Sequence, residues 1–418
     1  MKAAIIGASE EALHTIEKAR ELGIDTIAAD GDPQAAGLQA ADQALVVDIS
    51  REEATIEAMR QVQPDFILTV PIGRYLTTIG AVNDALGLPG VSREAAALCT
   101  DKYRFHQILS AHGLRNGECH LIPGDETTGG TDVPLTTTYP AILKPRYGSG
   151  SRGIFFIRDQ KEQQDALRQI AGAGEDYILE HAAPGEEYGV DAVVTEQKFQ
   201  IILLRRKINT PPPDRQAVGY LAVMPKEQED LYRRVTAYMT QVAQTMNLQE
   251  CLFHADLMIE EAPEDPIFVI ELSARPSGHN LHNLFTPLAT GVDMAEQYLR
   301  YRAGMDYSFL PCCTEHMLIH YFDMEGVVTS APSEKEVVEA LQQSVRLRKW
   351  LCTIGSGERL CHISTGHSLM GRGYFILSGS TEERLLEAAE TVKELFGVAK
   401  TGAAKTGTAS TSTTICKE

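Results

Sequence analysis

The sequence predicts an α/β fold that begins with a parallel, doubly wound sheet and continues into α+β parts. Three observations support this class. In the first third, short apolar runs alternate with helical patterns, which is typical of βαβ units. In the middle, apolar runs follow one another across turn residues, which is typical of antiparallel hairpins. Near the C-terminus, residues 371–397 combine a strand pattern with an amphipathic helix.

Four apolar segments predict the strands of the N-terminal sheet: residues 2–8, 25–30, 44–48 and 65–70. Helical patterns at 10–23 and 51–63 connect them, and the first ends at Gly23. A turn at 87–92 closes this unit. We expect a helical stretch to follow at 94–113.

The middle of the chain predicts two hairpins separated by helices. Residues 140–159 form a strand, a glycine-rich loop and a second strand, and a helix is expected at 161–172. Several antiparallel strands are expected over 177–207, and a helix over 227–246. Residues 251–275 contain two apolar runs joined by a Pro- and acid-containing connection, so they predict a hairpin.

Composition restricts the possible function classes. With 418 residues the chain is long enough for two or three domains. Its net charge of −19 disfavours a nucleic-acid or anionic-membrane partner. No apolar run approaches membrane-spanning length, and the first residues do not form a signal peptide. We therefore expect a cytoplasmic protein.

The strongest chemical signal lies in the second predicted hairpin. Glu271, Ser273 and Arg275 alternate along one strand and therefore share a face, and Asp256 lies on the partner strand. Two facing carboxylates repel each other unless a cation lies between them, and oxygen ligands on a rigid sheet suit Mg²⁺. Arg275 could then contact a phosphate or an oxyanion. The alternative is a solvated edge strand with a Glu–Arg pair.

A glycine-rich loop provides a second signal. Residues 146–153, RYGSGSRG, offer successive backbone N–H groups that could wrap phosphate oxygens, and Lys144 ends the strand before them. The loop lacks the GK[ST] of a Walker motif. An ordinary turn next to a surface lysine is the alternative interpretation.

The N-terminal GASEEA segment stands where a dinucleotide-binding motif could lie, but its residues exclude a dinucleotide cofactor. Residues 7–12 lack the second and third glycines of the GxGxxG pattern, and Glu10 and Glu11 would repel a pyrophosphate. A third acid-containing segment, 177–191, carries Glu180 and Glu187 beside a Pro-Gly turn. Such acids could hold a nucleotide base and ribose, or they could be solvated.

The order of these motifs resembles the ATP-grasp superfamily, in the carboxylate–amine ligase branch that includes L-amino-acid ligases, biotin carboxylase and purine-biosynthetic enzymes. The motifs are an Asp-Lys before a helix, a Lys-Pro strand, the glycine loop, E-x(4)-G-x-E-x(3)-D, a strand acid and E-x-[NS]-x-R. The resemblance covers roughly residues 1–398. It implies a Rossmann-like pre-ATP-grasp domain, an ATP-grasp domain with a glycine-loop lid, and a C-terminal α+β lobe. The implied boundaries are 1–95, 96–304 with the lid at about 130–185, and 305–398, followed by a flexible tail at 399–418.

The resemblance also implies roles for residues of this chain. Glu180, with the backbone of His181 and Ala182, matches the segment that binds the adenine edge, and Glu187 matches the ribose acid. Asp256, Glu271 and Ser273 match the metal ligands, and Arg275 matches the catalytic arginine that stabilises the acyl-phosphate and the tetrahedral intermediate. The implied phosphate contacts are Lys102, Lys144, Gly148, Ser149, Gly150, Ser151, Arg152 and Gly153.

One position departs from the family pattern. Ser273 stands where the family usually has Asn, so its side chain is shorter and lacks the amide. A serine oxygen can still ligate a metal ion. The resemblance implies ATP with two Mg²⁺ ions, or Mn²⁺ in their place.

The implied function is ATP-dependent ligation of a small-molecule carboxylate to an amine through an acyl-phosphate, with release of ADP and phosphate. Two alternatives remain: a purine-type enzyme acting on a ribose-phosphate substrate, and a non-catalytic nucleotide-binding regulator. A homodimer is implied by resemblance alone. The candidate substrate contacts are Arg74, Arg205, Lys207, His279 and Asn280. For Arg205 and Lys207 the alternative is a solvated basic face, and for His279 and Asn280 it is a polar loop.

Overall fold

The computed structural model describes residues 1–124, 138–148, 152–211, 215–260, 266–341, 344–363 and 369–399. The chain divides into two compact units. The first comprises residues 1–149, 153–204 and 225–312, and the second comprises residues 150–152, 205–224 and 313–418. Most of the predicted site residues belong to the first unit. Arg152, Arg205 and Lys207 belong to the second.

The first unit begins with a parallel sheet in the order β3-β2-β1-β4, which confirms the predicted α/β start. Its strands are β1 (Lys2–Ile6), β2 (Asp25–Asp30), β3 (Gln43–Val46) and β4 (Phe66–Ile67), and its helices are α1 (Leu13–Glu21), α2 (Ala36–Ala40), α3 (Glu52–Val62) and α4 (Leu76–Leu86). Helix α1 is shorter than the predicted 10–23. A separate 3₁₀ turn at Glu10–Ala12 precedes it. Helices α2 and α4 were not predicted.

Two helices occupy the helical stretch that was predicted over 94–113. These are α5 (Arg93–Thr100) and α6 (Lys102–Ala111). Asp101 separates them because its backbone is extended, with φ −101° and ψ 97°. Its carboxylate accepts hydrogen bonds from the N–H groups of Tyr103 and Arg104, so it caps α6. The predicted helical stretch is therefore present as two helices, and the second follows Asp101.

A four-stranded antiparallel sheet follows, in the order β5-β8-β6-β7. It contains β5 (Cys119–Ile122), β6 (Ala141–Pro145), β7 (Phe155–Ile157) and β8 (Tyr177–His181), with α7 (Gln160–Ile170). The pairing of β6 with β7 confirms the predicted first hairpin. Ala141, Leu143 and Leu179 pack with α7 in the core of this sheet.

The second hairpin lies in another antiparallel sheet, where the strands of the first unit follow the order β13-β12-β9-β10. The elements are β9 (Glu186–Thr195), β10 (Lys198–Asn209), β12 (Cys251–Ile259), β13 (Ile267–Ser273), α8 (Glu229–Thr245), α9 (Thr286–Thr290) and α10 (Met294–Arg302). The pairing of β12 with β13 confirms the predicted hairpin. Val193, Ile202 and Leu252 belong to a core cluster that also includes Ala3 and Phe66.

In the second unit the last residues of β10, from Arg205 onward, pair with β11 (Ala217–Ala222). The sheet order there continues β11-β14-β18-β16, beside a three-stranded sheet of order β17-β15-β19. The remaining elements are β14 (His316–Tyr321), β15 (Gly326–Ser330), β16 (Val345–Cys352), β17 (Arg359–Leu360), β18 (Gly373–Gly379), β19 (Gly397–Ala399), α11 (Glu334–Ala340) and α12 (Glu382–Glu394). Phe322, Phe375 and Leu385 lie in its core.

Among the described helices, none has both the length and the apolar character needed to cross a bilayer. The predicted tail lies, from residue 400 onward, outside the described residues. The predicted domain boundaries stay predictions.

Candidate active site

The predicted metal ligands lie on one face of the β12–β13 pair. Asp256 is the direct register partner of Glu271, and His254 is the register partner of Ser273. Register partners in an antiparallel pair project on the same side, with their Cβ atoms about 5 Å apart. The structure therefore places the carboxylates of Asp256 and Glu271 next to each other. It places Ser273 one step further along, opposite an imidazole.

Strand β9 extends this face on the other side of β12. Asp191 is the register partner of His254, and Glu187 is the partner of Met258. The His254 ring lies between carboxylates: Nδ1 is 3.9 Å from Asp191 Oδ1, and Nε2 is 3.7 Å from Asp256 Oδ1. Glu187 thus shares the face with the predicted metal ligands, at its far end.

Arg275 lies two residues beyond the end of β13, and the charges of four carboxylates act on its guanidinium. Burial lowers the pKa of Arg275, while the negative charges of Glu271, Asp256, Glu11 and Asp191 act in the opposite direction. Its Nη1 donates to the carbonyl oxygen of Pro276 at 2.8 Å. Its Nε is buried and has no hydrogen-bond partner among the described residues. A cation with unused donors beside paired carboxylates is suited to bind an anionic ligand.

Lys144 and Glu180 form a buried ion pair between β6 and β8. Lys144 Nζ lies 2.6 Å from Glu180 Oε1, and each residue is 4% exposed. Arg115, which sequence analysis did not single out, places Nη2 2.8 Å from Glu180 Oε2. Burial alone raises the pKa of Glu180, but the positive charges of Lys144 and Arg115 outweigh it, so the pKa lies below its usual range.

Arg115 also contacts two residues of β13. Its guanidinium carbon lies 4.1 Å from the centre of the Phe268 ring, and its Nη1 donates to the carbonyl oxygen of Val269. Because Phe268 and Val269 belong to β13, Arg115 connects the strand of the predicted metal ligands to Glu180.

The predicted adenine-binding segment is described in full. The His181 N–H donates to Glu118 O at 3.2 Å, and the Ala182 N–H donates to Pro140 O at 3.0 Å. Both N–H groups are therefore already engaged. The role of the His181 and Ala182 backbone at the adenine edge stays a prediction.

Lys102 lies in the first turn of α6 and reaches the glycine loop. Its Nζ donates to the carbonyl oxygen of Gly148 at 2.7 Å. Burial lowers the pKa of Lys102, with Lys144 contributing in the same direction and Glu271 and Glu180 opposing. The ammonium groups of Lys102 and Lys144 therefore lie within electrostatic range of each other.

Asp101, just before the first turn of α6, forms an ion pair with Arg146 at the end of β6. Arg146 Nη2 lies 2.6 Å from Asp101 Oδ2, and Arg146 Nη1 lies 3.0 Å from Asp176 Oδ2. In the glycine loop, Gly148 and Arg152 are exposed. Gly153 has φ +66°, and a Cβ there would lie 3.2 Å from both Pro145 Cγ and Tyr177 Oη, which favours glycine. Ser149, Gly150 and Ser151 lie outside the described residues.

The predicted substrate residues do not all come together. His279 and Asn280 follow Arg275 in the loop after β13, with left-handed φ values of 61° and 58°. Arg74 is exposed, and its guanidinium lies 5.5 Å from the ring centre of Tyr75. Arg205 is fully buried, 5.6 Å from the ring centre of Tyr220, so a solvated basic face is wrong for Arg205. Lys207 is half-buried in β10.

A second residue absent from the prediction is Glu11. Its Oε1 accepts the backbone N–H of His279 at 3.1 Å, although 268 positions separate the two residues. Sequence analysis considered Glu11 only as a reason against a dinucleotide cofactor. A contact between residues so distant in the chain leaves no periodic pattern, so neither spacing nor composition could have indicated it.

Comparison with known proteins identifies one domain. Residues 137–282 match the family model described as the ATP-grasp domain. The chain therefore contains an ATP-grasp domain. The matched range contains Lys144, Glu180 and the whole Asp256–Glu271 face.

Individual relatives of this ATP-grasp chain are distant. A formate-dependent phosphoribosylglycinamide formyltransferase from Klebsiella pneumoniae is 28% identical over 179 residues, covering 41% of this chain and 45% of that protein. Dapdiamide A synthase from Enterobacter agglomerans is 23% identical over 235 residues, covering 53% of each. The chain spans about half the length, or less, of the curated relatives it matches.

The solved structures show the fold. An L-amino acid ligase from Bacillus licheniformis superposes with a TM-score of 0.75 at 18% identity, covering 96% of this chain and 99% of that one. The ATP-grasp fold therefore extends over nearly the whole chain, as predicted.

Proposed function

We propose that the protein is an ATP-dependent carboxylate–amine ligase that joins two small molecules through an amide bond and releases ADP and phosphate. The proposal rests on the arrangement of three residues. Asp256 and Glu271 are register partners on one face of the β12–β13 pair, and Arg275 lies just beyond the end of β13. The similarity to dapdiamide A synthase and to an L-amino acid ligase supports the same reaction class.

The donor set of this face fits Mg²⁺. Asp256 and Glu271 supply adjacent oxygen ligands, the kind that Mg²⁺ prefers, and adjacent carboxylates repel each other without a cation between them. Ser273 lies next along the strand and supplies a hydroxyl. Mg²⁺ held there, with Mn²⁺ as a substitute, would supply charge neutralisation for the phosphate oxygens of ATP. The proposal includes two such metal ions.

The remaining roles belong to side chains of the chain itself. Lys102 and Lys144 bind phosphate oxygens of ATP, and the glycine loop, with Gly148 and Gly153 at its ends, covers them. Glu180 and the segment containing His181 hold the adenine, and Glu187 holds the ribose.

The chemistry follows from activation of a poor electrophile. The substrate carboxylate oxygen attacks the γ-phosphorus, the bond to ADP breaks, and an acyl-phosphate forms. The amine then attacks the acyl carbon, loses a proton, and expels phosphate. Arg275 stabilises the negative charge that develops on the acyl oxygen in that second step. Exclusion of water protects the acyl-phosphate from hydrolysis.

Release of ADP tests the proposal. Wild-type protein with ATP and Mg²⁺ should release ADP when given pools of amino acids, other carboxylates and amines. Glu271→Gln and Arg275→Ala should each abolish that release while the unfolding curve keeps its cooperative shape. Glu229→Gln, an exposed position at the start of α8, is the matched control and should keep wild-type activity. Wild-type turnover by either site variant would contradict the assignment.

A second function is favoured by the similarity to the formate-dependent phosphoribosylglycinamide formyltransferase. In that case the amine substrate would carry a ribose phosphate, and formate would be the carboxylate. ADP release that requires formate and glycinamide ribonucleotide, and that no amino acid supports, would establish this alternative. ATP binding without ADP release in any pool would instead indicate a non-catalytic regulator. A cytoplasmic location and a homodimer also belong to the proposal.

A further inference from the structure

A cluster of three potential metal ligands lies beside the Lys144–Glu180 ion pair. It comprises His106 on α6, Cys119 on β5 and Glu180 on β8. Cys119 and Glu180 are register partners, so they project from the same side of their sheet. One ligand atom from each of the three residues lies within 4.8 Å of the other two. An imidazole, a thiol and a carboxylate therefore come together at one place.

His106 has an unused ring nitrogen at this place. The residue is 4% exposed, and its Nε2 is buried without a hydrogen-bond partner among the described residues. Its Nδ1 lies 3.2 Å from Ser110 Oγ, one turn further along α6, and this contact orients the ring. A buried polar atom without a partner costs stability, so Nε2 points to a ligand that would complete its contacts.

The protonation states of the two softer ligands agree with such a role. Burial, together with the charge of Arg115, lowers the pKa of His106 to about 4, so the imidazole is neutral at neutral pH and keeps a lone pair. Cys119 carries a free thiol, and burial raises its pKa to about 12. A metal ion that binds there must therefore displace the thiol proton.

The donor set selects the kind of metal. Nitrogen, sulfur and carboxylate oxygen are the ligands of Zn²⁺, and three protein ligands leave its fourth tetrahedral position for water. Mg²⁺ prefers oxygen ligands and an octahedral arrangement, so it suits the face of Asp256 and Glu271 and not this cluster.

Ordinary core packing accounts for only part of the cluster. Glu180 already compensates the buried cations of Lys144 and Arg115, and that task needs neither a histidine nor a cysteine nearby. An apolar side chain at position 106 would fill the same interior without leaving a ring nitrogen unpaired.

We propose that His106, Cys119 and Glu180 bind Zn²⁺, and that the bound ion opposes ATP binding because it takes Glu180 from Lys144. On binding, the Cys119 thiol releases its proton to solvent, and the thiolate sulfur donates an electron pair to the metal. His106 Nε2 and an oxygen of Glu180 complete the protein ligands. Binding of the metal is independent of the proposed ligase function, whereas its effect on ATP rests on it.

The opposition follows from the position of Lys144. Its Nζ lies 2.6 Å from Glu180 Oε1, so a divalent cation on this carboxylate would repel the ammonium group at close range. Lys144 would then leave the place from which the proposed function has it contact a phosphate oxygen. Zn²⁺ and ATP should therefore weaken each other's binding.

Cobalt spectroscopy of the full chain tests the site without requiring turnover. Co²⁺ replaces Zn²⁺ in such sites, and its bond to a thiolate gives a charge-transfer band that Zn²⁺ abolishes by displacement. The site variants are Cys119→Ser and His106→Leu. Cys312→Ser, at an exposed free cysteine, and His120→Gln, next to Cys119 in β5, are the matched controls.

Wild type and both controls should show the band and release one proton for each ion bound. Cys119→Ser should lose the band, and His106→Leu should weaken Co²⁺ and Zn²⁺ affinity by about tenfold or more. No thiolate band in wild type, or a band that persists in Cys119→Ser, would overturn the proposal. These two outcomes decide even if His106→Leu fails to fold. Wild-type metal affinity in a folded His106→Leu would remove the histidine from the site.

Lys144→Met tests the competition for Glu180. If Lys144 and the metal compete, the variant should bind Zn²⁺ about tenfold more tightly than wild type, because a nearby like charge is gone. Equal or weaker binding would overturn this step.

ADP release tests the consequence for the proposed ligase. With free Zn²⁺ fixed by a metal buffer, any binding of zinc to ATP itself is the same for each protein. Zn²⁺ should inhibit wild type more strongly than Cys119→Ser, and equal inhibition would contradict the proposed opposition. If the ligase proposal is wrong, no ADP is released in either case, while the cobalt spectra and the Lys144→Met comparison still decide whether the zinc site exists.

Discussion

Lys144 Nζ lies 2.6 Å from Glu180 Oε1 inside the antiparallel sheet that also carries the glycine loop. The other oxygen of Glu180, Oε2, lies 2.8 Å from Nη2 of Arg115. One buried carboxylate therefore compensates two buried cations. This unequal arrangement makes the three residues differ in their importance for stability.

Glu180→Gln should destabilise the protein more than Lys144→Met. Removing the carboxylate leaves two buried cations without a partner, which should cost about 3–5 kcal/mol. Removing Lys144 leaves Glu180 paired with Arg115, so the cost should be smaller. Denaturant unfolding of the two variants measures the difference. The opposite order would show that Arg115 does not compensate Glu180 in the folded protein.

Lys102→Met should weaken ATP binding by about tenfold or more, because it removes a charge-assisted contact to a phosphate. Lys161→Met, at an exposed position in α7, is the matched control and should bind ATP normally. Both affinities can be measured by calorimetry with ATP and Mg²⁺. Unchanged ATP affinity in Lys102→Met would remove this lysine from the site.

ATP affinity should also depend on pH through Lys102. Burial holds its pKa below the usual lysine range, and only the protonated ammonium attracts phosphate. The contribution of Lys102 is therefore complete below the lowered pKa and is lost as the pH rises through it. The alkaline decline in wild-type affinity should be weaker in Lys102→Met. Identical pH profiles would contradict this assignment.

Ser273→Ala should raise the Mg²⁺ concentration needed for half-maximal ADP release, because the variant removes an oxygen ligand at the site. Ser273→Asn introduces the residue that the family usually has there and restores a side-chain oxygen. It should therefore keep or lower the Mg²⁺ concentration needed for half-maximal ADP release. Titration of ADP release with Mg²⁺ compares the two variants. If Ser273→Ala has the wild-type requirement, Ser273 does not ligate the metal.

Asp101 should stabilise the protein in two separable ways. Asp101→Asn keeps a side chain that can cap α6 but loses the ion pair with Arg146, whereas Asp101→Ala loses both. Asp101→Ala should therefore cost about 1 kcal/mol more than Asp101→Asn in unfolding experiments. Equal costs would show that the cap contributes nothing.

The stabilisation that comes from the Asp101–Arg146 ion pair should disappear in acid. Burial alone raises the pKa of Asp101, but hydrogen bonds from Arg146 and from the Arg104 N–H leave it below the usual value. A lowered folded-state pKa gives stability that is complete above the unfolded pKa of about 3.9 and is lost as the pH falls through the folded one. The difference in unfolding free energy between wild type and Asp101→Asn should therefore shrink as the pH falls through the folded-state pKa.

Sequence alone predicted that Asp256 and Glu271 lie on one face, because strand alternation is a local property. Once 251–275 is a hairpin, Asp256 and Glu271 must lie on definite faces, and the structure makes them direct partners. The Lys144 strand and its glycine loop were likewise encoded locally. These parts of the fold and site follow from spacing, turn residues and motif order.

The remaining parts depend on contacts between distant segments. Arg115 reaches Glu180 across 65 positions, and Glu11 reaches His279 across 268. Neither pairing has a periodic signature in the sequence. Asp101 is different, because an aspartate before a helical run is a known cap signal, and the sequence shows it as the Asp-Lys motif.

The most direct test of the central proposal is the stoichiometry of products. Wild-type protein with ATP, Mg²⁺ and mixed amino acids should release ADP and phosphate in equal amounts. A new amide, identified by mass spectrometry, should appear one-to-one with them, and all three should be absent with Glu271→Gln. Release of AMP and pyrophosphate, or amide formation that continues in Glu271→Gln, would contradict the proposed ligase.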